Sequence, residues 1–337
     1  MKKTTVLFLL SLLSLSTALW AQNDPKDRVV VQGKIKKAET KAGEELPNGW
    51  RRGGEGIVNL SLTSLNQNWQ AQFGGNNNLL AVANLGLFAN YKQNKFTWNN
   101  DLRITYGFVN FLDRQSDDPF KVRKADDLVM FGSKAGYELS KKLYAVGFLD
   151  FITQFSPGYK YGTDSIGAET RTLVSKGLSP AVLRLGAGID YRPSDYFSIM
   201  FAPVSFRGLI VSDQAIANQF IHGNAAEDSN PLVGKKFTPE FGALLQAKFK
   251  KDLGKNINYE SNLDLFQNYL NSFDGTYVTW NNLLSLKVNE YITTRIESNL
   301  IYNTKADVNL VEAGIQNGLQ HRLFFGVGFG YKFGAKP

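Results

Sequence analysis

The chain carries two histidines, His222 and His321, and no cysteine, so the chemistry open to it is narrow. A metal site needs several donors at defined spacing, and His222 has only Glu227 and Asp228 near it in sequence. A hydrolase needs a nucleophile and a base within hydrogen-bond reach, and neither histidine sits in a recognisable serine signature. The Gly326, Gly328, Gly330 spacing of "FGVGFGYKFG" resembles a nucleotide loop, but it lies in a period-two segment with no helix after it. The phosphate-cradling geometry cannot form there. The sequence therefore predicts no catalysis, no metal and no cofactor.

The remaining chemistry is ionic, and it falls on alternate positions. In "KFTWNNDLRITYGFV", residues 95–109, Phe96, Trp98, Leu102, Ile104, Tyr106 and Phe108 share one face, while Thr97, Asn99, Asp101, Arg103 and Thr105 share the other. The same parity along the chain sets Asp101, Asp150, Asp190, Glu240, Glu260, Asp264 and Glu297 against Arg103, Lys134, Arg184, Lys248, Lys287, Arg295 and Arg322 on one face. Seven acids against seven bases suggest cross-strand ion pairs. Trp98, Tyr106, Tyr137, Tyr191, Trp280, Tyr302 and Tyr331, with Tyr259, lie toward strand ends on the opposite, apolar face.

Two-faced strands need elements that close. From Gly54 onward the period stays at two, and the apolar positions mark about twelve strands of about ten residues or more, the length a tilted strand needs to cross a bilayer. Tight polar turns at 92–95, 140–142, 193–195, 251–255 and 289–290 alternate with longer connections at 66–78, 110–126, 156–180, 212–236, 271–275 and 305–318. An open sheet in lipid would leave its edge amides without partners, so the strands must form a closed antiparallel transmembrane barrel. Short periplasmic turns and long extracellular loops follow, with the aromatic residues as girdles and the charged residues lining the lumen.

The N-terminus fits this reading. Lys2 and Lys3 precede an apolar run from Thr4 to Leu19, shorter than the ~20 residues of a span, and small residues then suggest cleavage after Ala21. Residues 1–21 are expected to be a signal peptide, 22–53 a polar periplasmic arm and 54–337 the barrel. The net charge of +8 includes the two leader lysines and is no argument for a nucleic-acid partner.

Several blocks, in order, resemble a family found in Bacteroidetes and catalogued as domain of unknown function 3078. They are "GWRRGGEGIVNLSLTSLNQNW" (49–69), "LGLFANYKQNKFTWNNDLRITYG" (85–107), "RKADD" (123–127), "FITQFSPGYKYG" (151–162) and "LSPAVLRLGAGIDYRPSDYFSIMFAP" (178–203). The resemblance implies an outer-membrane barrel of a Gram-negative bacterium and supplies no catalytic residue. Lipid and the barrel-insertion machinery are the expected partners. A structural, binding or accessory subunit of an envelope complex is expected, because balanced lumen charge gives a pore no sign preference; a narrow passive channel for a small polar solute is the alternative.

Overall fold

The computed structural model describes residues 48–73, 75–270, 275–289, 292–303 and 320–334. Twelve strands close into one antiparallel barrel: β1 (Gly49–Thr63), β2 (Asn78–Gln93), β3 (Phe96–Phe111), β4 (Val122–Ser140), β5 (Leu143–Thr153), β8 (Ala181–Ser194), β9 (Phe197–Ile210), β10 (Phe237–Gly254), β11 (Ile257–Asn268), β12 (Thr276–Lys287), β13 (Ile292–Asn303) and β14 (Gln320–Gly334). Chain neighbours pair around the wall, and β1 meets β14 to close it. β6 (Gly158–Thr163) and β7 (Glu169–Ser175) form a separate hairpin in the β5–β8 connection. The short helices α1 (Gln67–Phe73) and α2 (Gln214–Ala217) lie in the β1–β2 and β9–β10 connections.

The first strand begins at Gly49, so the expected boundary at Gly54 is moved five residues earlier: Gly49 already pairs with Lys92 of β2. The proposed leader, and the part of the proposed arm up to residue 47, lie outside the described residues. The expected loop at 110–126 is shorter, because β4 starts at Val122 and continues the ladder with β3. At one end of the barrel the turns are tight. Gln93 and Phe96 flank a two-residue turn in which Asn94 takes a left-handed φ of 51°, a conformation asparagine tolerates better than most residues.

Alternation decides which residues face out. Val58, Leu60, Leu62, Leu85, Phe131, Leu149, Leu185, Ile189, Phe201, Phe241, Leu323 and Phe325 are exposed on the outer surface, while Asp101, Lys134, Asp190, Glu240 and Glu260 are buried inside. A soluble domain would invert this arrangement. The alternation is interrupted in β9, where the pairings Ala187↔Val204 and Ile189↔Phe201 leave extra residues in the strand. Gly188 faces this bulge, and a Cβ there would lie 2.1 Å from the Phe201 carbonyl oxygen.

Candidate functional site

The lumen is built from the inward parity of the strands, and its charges meet across it. Asp150 of β5 is the ladder partner of Arg184 of β8, and the Arg184 guanidinium donates to it at 3.1 Å. The same guanidinium also reaches Asp264 at 3.3 Å, on β11, three strands further round the wall. An ion pair of that span can form only where the lumen is narrow. Lys134 of β4 donates to Asp190 of β8 at 2.5 Å, and Arg192 holds the same carboxylate at 2.9 Å while stacking over Tyr144. Glu240 accepts from Arg207, from the Tyr277 hydroxyl at 2.9 Å and from Asn268 at 3.4 Å. Glu260 pairs with Lys250 at 3.5 Å.

The inward parity thus brings Asp150, Arg184 and Asp264 together, and separately Lys134 with Asp190. Lys248 and Arg322 are half-buried, and Lys287, at the last position of β12, is exposed at the rim. Arg103 lies within electrostatic reach of Glu297 and Arg295 on β13, Glu55 on β1 and Asp126 on β4. Arg207 was not among the expected lumen residues, because counting straight from Phe197, Ile199 and Phe201 puts it outside; the β9 bulge turns it in.

A second inward feature is apolar. Val146 and Phe148 of β5, Met200 and Ala202 of β9, Leu244 of β10 and Phe266 of β11 form one buried cluster, with Tyr144 and Tyr277 against it. Its signal was present in the sequence as apolar residues on both faces of β5. The inward faces of β1–β3, β13 and β14 instead carry Asp101, Arg103, Thr105, Arg295, Glu297 and Asn299 together with Gly86, Gly326 and Gly328. One side of the lumen is packed with hydrocarbon, and the other mixes these charges and glycines with Ile57, Val82, Ile301 and Phe324.

The loop end is covered from within. Val182 and Leu209 share the inward parity of Arg184 and Arg207, and they pack with Val211 and with Ile216 and Ala217 of α2. The Asp213 side chain caps α2 by accepting from the Ile216 N–H at 3.1 Å, and Lys176 holds the Asp213 carboxyl below its usual range. Lys124 donates to Asp127 (2.9 Å), Gln154 (3.2 Å) and the Ser156 carbonyl (2.8 Å). Fully buried Asp127 in turn accepts from the N–H and hydroxyl of Ser156. The "RKADD" and "FITQFSPGYKYG" blocks therefore meet in space. Arg114 clamps Glu169 of β7 through two bonds of 2.6 and 2.7 Å, holding that carboxyl below its usual range.

Among the described side chains, the expected outward aromatics sit on the outward parity. Trp98, Tyr106, Tyr137, Tyr191 and Trp280 are exposed on the outer face, Tyr259 and Tyr302 are half-buried, and the side chain of Tyr331 lies outside the described residues. The indoles of Trp98 and Trp280 donate to Ser133 and Ser261, each at 2.9 Å. A donor facing lipid needs such a partner. Among the described residues no group of three or more His, Cys, Asp or Glu is placed to hold a metal ion. His222 Nε2 lies 2.8 Å from the Val174 carbonyl. His321 lies 3.1 Å from Ser298 on the outer face, a pairing invisible in the sequence because the two residues are 23 positions apart.

The model of a protein family of unknown function, DUF3078, matches residues 60–159. No curated protein matches the chain in sequence. Among solved structures, the translocator domain of autotransporter NalP from Neisseria meningitidis is 12% identical with a TM-score of 0.38, covering 86% of this chain and 90% of that one. An outer-membrane channel from Pseudomonas putida F1 is 12% identical with a TM-score of 0.40, covering 88% and 100%. The NanC porin is 8% identical with a TM-score of 0.39, covering 83% and 100%.

Proposed function

We propose that the chain is an integral outer-membrane barrel of a Gram-negative bacterium and that its lumen is filled. It would then serve as a structural, binding or accessory subunit of an envelope complex rather than as a general pore. The outward hydrocarbon face and the serine-bonded indoles support the membrane assignment, since an apolar surface of this extent needs lipid. Lipid is the first partner, the insertion machinery acts during biogenesis, and an envelope protein is the partner in the mature state. The reading assigns no catalysis and no nucleic-acid ligand.

The observation that carries the closed lumen is Arg184 joined to both Asp150 and Asp264 beside the apolar cluster of Phe148, Met200 and Phe266. Charges paired across a narrow interior are tolerated, and such pairing supports a filled lumen. A narrow passive channel for a small polar solute is the second reading, favoured by the glycines and charges of the β1, β2, β13 and β14 side. Planar-bilayer recordings of the purified protein test the choice. No steady conductance is expected. Large, steady, salt-proportional conductance would overturn the closed-lumen reading and put the channel first.

A further inference from the structure

The wall is least complete where its ends meet. β1 pairs with β2 over its full length, from Gly49↔Lys92 to Thr63↔Asn78, but with β14 only from Gly53↔Gly334 to Asn59↔Gly328. Continuing that register would set Leu60, Ser61, Leu62 and Thr63 opposite Val327, Gly326, Phe325 and Phe324, and the ladder stops short of them. The notch lies in the loop half of the barrel. Leu60, Leu62 and Phe325 at its outer lip are 59%, 66% and 55% exposed. An unclosed ladder in lipid strands backbone N–H and C=O groups, so such a notch is costly unless something uses it.

Immediately behind the notch stand groups that seek a ligand. Gly326 is the ladder partner of Arg295, Phe324 of Glu297 and Arg322 of Asn299. The ring of Phe324 lies over Gly326, and the Asn59 amide oxygen with Ile57 lies over Gly328, so side chains rather than backbone stand between the notch and Arg295. The Nε of Arg295 is buried with no hydrogen-bond partner, and Asn299, 4% exposed, has a buried Oδ1 in the same condition. Arg322 stacks over Phe324 on the same side, and Arg103 of β3, two strands beyond β1 on that side of the lumen, lies within electrostatic reach of Arg295. An anionic oxygen satisfies the guanidinium, and a hydroxyl beside it satisfies Asn299. A phosphate monoester head carries both.

We propose that the β1–β14 notch is a lateral opening through which a phosphate-bearing membrane amphiphile sets its head against Arg295. Its chain remains in the bilayer beside Leu60, Leu62 and Phe325. This site rests on the membrane-embedded, filled-lumen reading. The two fail separately: conductance would sink that reading, whereas the binding results below sink the lateral site with the barrel still non-conducting.

The test uses full-length barrel in dodecyl maltoside, titrated with dodecyl phosphate and followed by native mass spectrometry. Saturable binding of one dodecyl phosphate per chain is expected, and Arg295→Gln should weaken it about tenfold, the effect of one charged hydrogen bond. Heat-modifiable gel mobility reports whether each variant has folded, and Arg322→Gln repeats the test on the neighbouring strand with a smaller loss. Because the chain has no cysteine, Leu62→Cys with Phe325→Cys joins the lips of the notch without competing thiols. Oxidation should abolish binding and reduction restore it. Unchanged binding to the disulfide-closed barrel would overturn the lateral route. Equal binding of inorganic phosphate would instead make this a soluble-anion site reached through the lumen, and no saturable binding would remove the site altogether.

Discussion

Arg184 shows how much one inward position has to satisfy. It is the only cation shared by Asp150 and Asp264 among the described ion pairs, and its side chain is largely withdrawn from water. Removing it leaves two carboxylates facing one another across a narrow space. Arg184→Met should therefore cost about 3 to 5 kcal/mol, the effect of breaking a buried pair, and adding Asp150→Asn and Asp264→Asn should recover much of the loss. Denaturant unfolding in lipid vesicles measures both. On the other face, Ile104→Arg near the bilayer midplane should cost about 2 to 4 kcal/mol, because lipid offers the guanidinium nothing. A tolerated Ile104→Arg would mean that this face does not meet hydrocarbon. Strict alternation was enough to put Arg184, Asp190 and Ile104 on their correct sides. It failed for Arg207, because the bulge reverses the parity of the rest of β9, and its one mark in the sequence is Pro203 within the strand.

At the scale of elements, the twelve wall strands were legible because each repeats its two-faced pattern over 11 residues or more. β6, β7 and α2 were not: they span six, seven and four residues, too few for a period to emerge from loop composition. Their stability comes from contacts made only in the fold. The Arg114–Glu169 clamp holds the β6–β7 hairpin against the β3–β4 connection, and within that connection the Asp118 carboxylate accepts from the Phe120 N–H. Both carboxyls, like Asp113 with Asn77 and Asp213 with Lys176, are held below their usual range in the fold. A depressed folded pKa stabilises above the unfolded value, here 3.8 for aspartate and 4.5 for glutamate, and that stabilisation is lost as pH falls through the folded value. Amide exchange in residues 158–175 should therefore stay slow at neutral pH and accelerate below about pH 4, while exchange in β8–β11 remains slow. Equal acceleration in both regions would show that the loops are not an independently stabilised unit.

At the scale of the molecule, closure is what makes the separate pairings cooperative. Every wall strand has two neighbours, so no strand can leave without exposing two rows of amides. The chain has no disulfide to hold a partly opened wall together. Unboiled protein should consequently run at an anomalous position on a detergent gel and shift on boiling, and recovery as a soluble periplasmic monomer would contradict the membrane assignment. The same logic makes a sharper prediction about the seam. β14 meets β1 through only its glycine-rich final third to half, yet it pairs with β13 along Ile292↔Phe329 to Ile301↔Gln320. Deleting residues 320–337 would open the outer edges of β1 and β13 together, and neither could be satisfied in lipid. The truncated chain should lose the heat-modifiable form entirely rather than yield an eleven-stranded barrel. A stable, compact band from that truncation would show that the wall can close without β14, and that the short β1–β14 ladder is not what completes the fold.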